Sequence, residues 1–201
     1  MAVAVINYDR CMGRWEPNAR GRLERAALEL YVERGFEQTT VAEIASRAGL
    51  TERTFFRHFA DKREVLFGGA GALQELVVRN VAGAPESAAP IDAVAAALDA
   101  AGAVLQERGD FAQQRQTVIA ANPELQEREL IKLASLASAM ADALRQRGVR
   151  EPAASLAAEA GIAAFRISFE AWIKAHSQRD LPKLIRESLD QLKAVTAGSA
   201  A

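Results

Sequence analysis

The sequence predicts an all-α fold, on three observations. Apolar residues recur at intervals of three and four along nearly the whole chain, alternating runs rich in Val, Ile and Thr are almost absent, and small polar residues open the apolar stripes where glycine or proline has closed the one before. With 201 residues the chain can bury a core without disulfides or structural metal. Half of it is hydrophobic and a quarter charged, a globular composition, and no uncharged run approaches the ~18 residues of a spanning helix. Met1 to Tyr8 lacks a positive region and a small-residue cleavage site, so no secretion signal or membrane partner is expected and the expected compartment is the cytoplasm. One cysteine, Cys11, and two histidines, His58 and His176, supply neither a disulfide nor a zinc ligand set, so no cofactor or metal is expected.

The first helix runs over Asn18 to Arg34, with Leu23, Ala26, Ala27, Leu30 and Tyr31 as one buried stripe and Gly35 as its stop. Thr40 and Glu43 form a capping box that opens a short second helix through Ile44 and Ala48. Gly49 then makes a tight turn, and Thr51 caps a third helix through His58. Asp61 and Glu64 read as a second capping box, opening a fourth helix that carries Val65, Leu66, Leu73, Leu76 and Val77 and contains Gly68, Gly69 and Gly71, each unfavourable by ~1 kcal/mol against alanine. A kink is expected there. Residues 82–90 are rich in glycine and proline and form the best linker candidate. Five further helices follow: Ile91 to Leu105, Phe111 to Ile119, a long one from Asn122-Pro123 to Gly148, one from Glu151-Pro152 through Ile173, and one from Asp180 through Leu192.

Charge is unevenly spread. The net value is −1, yet Arg47 to Arg63 holds five cationic residues against two acidic ones. That basic stretch coincides with the helix, glycine turn, helix arrangement at 41–59, the geometry that lets a second helix project into a DNA major groove while the first braces it. Leu50, Phe55 and Phe59 have the spacing of core anchors, which turns Arg53, Thr54, Phe56 and Arg57 toward other faces. An exposed phenylalanine forgoes ~2 kcal/mol of burial, so Phe56 is either a third core aromatic or a partner surface, such as one for thymine methyls. His58 and Lys62 suit phosphate contacts, as do the hydroxyls and free N–H groups at Thr40 and Thr51. Arg14, Arg20 and Arg22 read as part of a solvated leader, with a minor-groove arm as the alternative.

The stretch TTVAEIASRAGLTERTFFRHFADKREVLF, Thr39 to Phe67, resembles the DNA-binding domain of the TetR family of bacterial transcriptional regulators. The resemblance covers Asn18 to Phe67, and the remainder matches the family by layout. It implies an N-terminal three-helix domain with a helix-turn-helix at 18–67 and a larger helical ligand-binding and dimerisation domain at 68–196. It further implies a homodimer on a palindromic double-stranded DNA operator, released by a small-molecule effector, with Thr40, Thr51, Arg53, Thr54, Phe56, Arg57, His58 and Lys62 as the DNA face. The family usually carries tyrosine where this chain has Phe56, and often an aromatic where it has Arg57.

In the larger domain, layout suggests Leu73, Val77, Leu98, Phe111, Leu133, Met140 and Phe165 as lining for an apolar or amphipathic effector, and Phe169, Trp172, Leu184, Ile185, Leu189 and Leu192 as the dimer interface. An ordinary core reads the same way. An enzyme is not expected: there is no Gly-x-Ser-x-Gly elbow, no P-loop and no dinucleotide fingerprint, and Gly68 to Gly71 lacks the preceding strand such loops follow. The alternative function is a helical small-molecule-binding or scaffolding protein without sequence-specific DNA binding.

Overall fold

Residues 18–176 and 178–198 are described by a computed structural model. Nine α-helices and one 3-10 turn make up the regular structure among these residues. They are α1 (Ala19–Arg34), α2 (Val41–Arg47), α3 (Glu52–His58), the 3-10 turn Glu64–Phe67, α4 (Ala70–Gly83), α5 (Pro90–Gln106), α6 (Gly109–Ala120), α7 (Pro123–Gln146), α8 (Ala153–Lys174) and α9 (Leu181–Thr196). Arg14 and Cys11 lie outside the described residues.

The helix starts follow the local chemistry. Asn18 accepts a hydrogen bond from the Gly21 N–H at the head of α1. Thr40 and Glu43 complete the capping box on α2: Oγ1 accepts from the Glu43 N–H at 3.3 Å while the Glu43 carboxylate accepts from the Thr40 N–H at 2.9 Å. Between α2 and α3 the chain reverses at Gly49, whose φ of 65° is a left-handed conformation that other residues adopt at a cost.

The fourth helix departs from expectation. Asp61 caps as predicted, its Oδ1 accepting from the N–H groups of Arg63 and Glu64 at 2.8 and 3.1 Å. Glu64 does not reach back; its carboxylate turns to α7 instead. Only a single 3-10 turn forms, and Gly68 and Gly69 separate it from α4, so the break falls before the helix rather than within it. Weak helix propensity at consecutive glycines places it there.

Two cores result. One joins α1, α2, α3 and the 3-10 turn around Leu23, Leu30, Ile44, Phe55 and Phe59, and is closed by Val118, Ile119 and Leu125 from the α6–α7 corner. The other lies among α4, α5, α7, α8 and α9 around Val77, Val94, Leu98, Met140, Leu144 and Trp172. Helix α7 contributes to both, through Leu125 at its start and from Leu136 onward, and its 24 residues span roughly 36 Å. At the α5–α8 crossing Gly161 is required by packing, because a Cβ there would collide with the Val94 side chain. The expected linker at 82–90 is a loop inside the larger unit, clamped by Arg147, which donates to the carbonyl oxygens of Ala84 and Pro85.

Candidate nucleic-acid interface

Helix α3 stands on two buried rings and presents its opposite side to solvent. Phe55 is fully buried and Phe59 nearly so, their ring centroids 5.6 Å apart. Phe56 meets Phe55 edge to face at 5.4 Å yet is 56% exposed. That resolves the choice left by the sequence: Phe56 is not a third core aromatic. Arg53 and Arg57 are exposed, and among the described residues neither guanidinium has an ion pair or hydrogen bond.

The threonines are engaged by their own helix ends. Thr51 is exposed, accepts from the Thr54 N–H at 3.2 Å and lies 3.1 Å from the Thr54 hydroxyl. Thr40 is exposed, but its N–H and hydroxyl both donate to Glu43, which also accepts from Arg34 at 2.9 Å. The free N–H expected at Thr40 is therefore taken.

Two further candidates turn inward. His58 is half-buried, and its Nε2 is buried with no partner among the described residues. The Lys62 ammonium donates to the carbonyl oxygens of Phe36, Glu37 and Thr39 at 2.9, 3.2 and 3.2 Å, and lies 4.4 Å above the Phe36 ring. In the structure its hydrogen-bonding capacity is spent on the protein, not offered to solvent.

Side chains outside the expected DNA face brace it. Arg47 on α2 forms a two-pronged pair with Glu33 on α1, at 3.0 and 2.9 Å, and approaches Glu29 at 3.6 Å. Arg22, read as leader, donates to the Ala48 carbonyl, and Arg20 donates to the Gly68 carbonyl. Tyr31 donates its hydroxyl to the Lys62 carbonyl at 2.6 Å. Burial, and secondarily the Asp61 charge, pushes the Tyr31 phenol above its ordinary value, so the hydroxyl remains a donor. No spacing rule finds such pairs, because their members lie far apart in sequence.

The head is also fastened to the larger unit. Glu64 accepts from Arg128 Nε at 2.6 Å and from Lys132 Nζ at 3.3 Å, two α7 residues one turn apart. Arg115 on α6 donates to the Leu66 carbonyl at 2.7 Å and to Glu129 at 2.9 Å, and stacks 4.9 Å over the Phe67 ring. Burial pulls the Arg115 guanidinium below its ordinary value, with Glu129 opposing.

In the larger unit, Val77, Leu98 and Met140 are fully buried, Phe165 nearly so, and Leu73 and Leu133 pack half-buried against the same core. Phe111, expected beside them, packs instead against the head's core, under the Arg108 guanidinium at 4.5 Å. Most of the residues expected at the dimer interface are covered by their own protomer. Trp172, Leu184, Ile185 and Leu189 are buried in the protomer's own α5–α8–α9 core, with Trp172 Nε1 donating to the Arg179 carbonyl at 3.0 Å, while Phe169 and Leu192 are half-buried. Period alone could not say which side of each helix its own protomer covers. The large apolar residues on the open side of α8 are Leu156 and Ile167, 65% and 60% exposed.

A cationic, partly aromatic second helix held on a three-helix head, joined to a helical bundle, defines a helix-turn-helix DNA-binding regulator. The profile of bacterial regulatory proteins of the tetR family matches residues 24–67, and that of the MftR C-terminal domain matches residues 88–197. The chain belongs to the TetR family of bacterial regulatory proteins. It is 40% identical over 76 residues to the HTH-type transcriptional regulator TcmR of Streptomyces glaucescens, a stretch covering 38% of this chain and 34% of that one. The match thus spans about a third of that relative's length. Similar folds include the fatty acid degradation regulator FadR from Bacillus halodurans, with TM-score 0.63, 18% identity, and 88% and 95% of the two chains covered. Another is FadR from Bacillus subtilis in complex with stearoyl-CoA, with TM-score 0.62, 20% identity, and 86% and 96% covered.

Proposed function

We propose that this chain is a repressor that binds a palindromic operator as a homodimer in the cytoplasm and is released by an apolar or amphipathic small molecule. The observation that carries the reading is the outer side of α3, where Arg53 and Arg57 are exposed and unpaired beside an exposed Phe56. Such cations neutralise phosphates and release counterions, while a phenyl ring offers an apolar contact to thymine methyls. Thr51, Thr54 and Thr40 flank this surface as hydroxyl partners for backbone or bases; His58 could approach a phosphate only through Nδ1.

Two copies are needed to span successive major grooves about 34 Å apart. The solvent side of α8 supports the pairing: Leu156 and Ile167 lie exposed with Glu159, Arg166 and Glu170, and these three charges have no ion pair among the described residues. A second α8 running antiparallel would bring Arg166 of each copy toward Glu159 of the other.

An apolar effector fits the composition of the α4–α5–α7–α8 core. Because Val77, Leu98 and Met140 are fully buried against one another's helices, an effector must select an expanded state of that core. One route from core to head runs through the start of α4. Gly68 and Gly69 make that connection soft, whereas α7 enters both cores and holds Glu64 through Arg128 and Lys132. Motion of α7 is therefore the stiffer route.

The test is selection of bound duplexes from a random pool by the full chain. Recovery of a palindromic consensus whose affinity falls steeply with salt supports the reading. No enrichment, or salt-insensitive binding, favours the scaffolding alternative.

A further inference from the structure

Lys62 suits a phosphate contact by residue type and by its place after α3, and the geometry points to a different role. An ammonium has three N–H donors. In Lys62 they face three carbonyl oxygens, those of Phe36, Glu37 and Thr39, all from the corner that joins α1 to α2. The Phe36 ring lies under the same ammonium, adding a cation–π contact. The main chain of Lys62 is pinned as well, its carbonyl accepting the Tyr31 hydroxyl from α1, and Tyr31 packs edge to face on Phe36 at 5.2 Å.

We infer that Lys62 is a positioning residue for DNA binding: from the loop after α3, its ammonium holds the α1–α2 corner and so sets Thr40 and α2 against α3, without touching a phosphate. Swinging the side chain out to DNA would leave three carbonyls without this donor and give up the ring contact. Other bonds hold α2 to α1 directly, among them the Arg34–Glu43 pair at 2.9 Å and the two-pronged Arg47–Glu33 pair, and within the corner the Thr39 N–H donates to the Phe36 carbonyl at 3.3 Å and its hydroxyl to the Gly35 carbonyl at 2.9 Å. The Lys62 ammonium ties that corner to the loop that follows α3 through three bonds at one atom. The inference rests on the reading that α3 meets DNA, and the experiment below separates the two.

The test uses full-length protein on its selected duplex, at a temperature where circular dichroism shows each variant folded. Lys62→Met is expected to weaken binding tenfold or more while the slope of log K against log salt stays at the wild-type value, and to speed hydrogen exchange at the amides of Ile44 and Ala45 in α2. A slope shallower by about 0.9, the signature of one lost phosphate contact, with α2 exchange unchanged, overturns the inference. Unchanged affinity in folded Lys62→Met also overturns it, since a merely structural lysine behaves that way. Should Lys62→Met fail to fold, Tyr31→Phe, which removes only the hydroxyl on the Lys62 carbonyl, decides: weaker binding at unchanged slope supports the role and unaltered affinity removes it. Should the wild type bind no duplex, the DNA reading fails while the exchange measurement still tests whether Lys62 holds the corner.

Discussion

Glu64 and Arg128, 64 residues apart in sequence, meet as a carboxylate–guanidinium pair that fastens the DNA-binding head to the start of α7. Lys132 shares the same carboxylate from the next turn of α7. Glu64→Gln is expected to destabilise the head by about 1 kcal/mol, the scale of a charge-assisted hydrogen bond discounted for partial exposure. Ile119→Ala, which opens a hole where the α6–α7 corner closes the head's core, is expected to cost about 2–4 kcal/mol. Calorimetry of the double variant should resolve a separate, earlier transition for the head. A single transition at the wild-type temperature would contradict the coupling.

Phe56 is exposed in the free protein, so Phe56→Ala is expected to change stability by no more than about 0.5 kcal/mol. Its proposed role lies on DNA. Binding to the selected operator should weaken and preference at one base position should relax, read by repeating the selection with the variant. Retained affinity and an identical consensus would place Phe56 off the duplex.

The open side of α8 predicts the oligomer. Ile167→Glu places a charge amid the exposed apolar residues and is expected to convert the dimer to a monomer of unchanged helicity in sedimentation velocity. Arg166→Glu should weaken the dimer through like charges facing Glu159, and adding Glu159→Arg should restore it. Dimers unaffected by all three variants would move the interface elsewhere.

The head should lose stability in acid by a stated route. Hydrogen bonds from the Thr40 N–H and hydroxyl, then the Arg34 charge, hold the Glu43 carboxyl below its ordinary value, and the Arg47 hydrogen bond does the same for Glu33. A carboxyl with a depressed folded-state value stabilises fully above its unfolded value, and that contribution disappears as pH falls through the folded one. Urea midpoints should therefore be flat near neutrality and drop below the ordinary glutamate range, with a shallower drop in Glu43→Gln. An equal drop in that variant would remove Glu43 from the account.

Much of this was legible in the sequence where causes are local. Thr40 with Glu43, Gly49, and Thr51 announce the ends of α2 and α3 because a cap or turn is decided within a few residues, and the period of Phe55 and Phe59 left Phe56 pointing away. Glu64 was misleading for the same reason, and Lys62 shows the same limit. Their local readings, a phosphate ligand and a capping-box acid, are plausible from neighbours alone, but their partners, the α1–α2 corner and α7, are brought in by tertiary packing. Trp172, Ile185 and Leu189 show the other limit. An amphipathic stripe states that a face is covered, and the sequence does not say whether its own protomer or another copy covers it.

The proposed function requires α3 to grip DNA through Arg53 and Arg57, and the salt dependence of operator affinity for wild type and Arg57→Ala tests this contact. A steep wild-type slope that becomes shallower by about 0.9 in the variant, with thermal stability and dimerisation unchanged, is the predicted result. Identical slopes and affinities for the two proteins would contradict it.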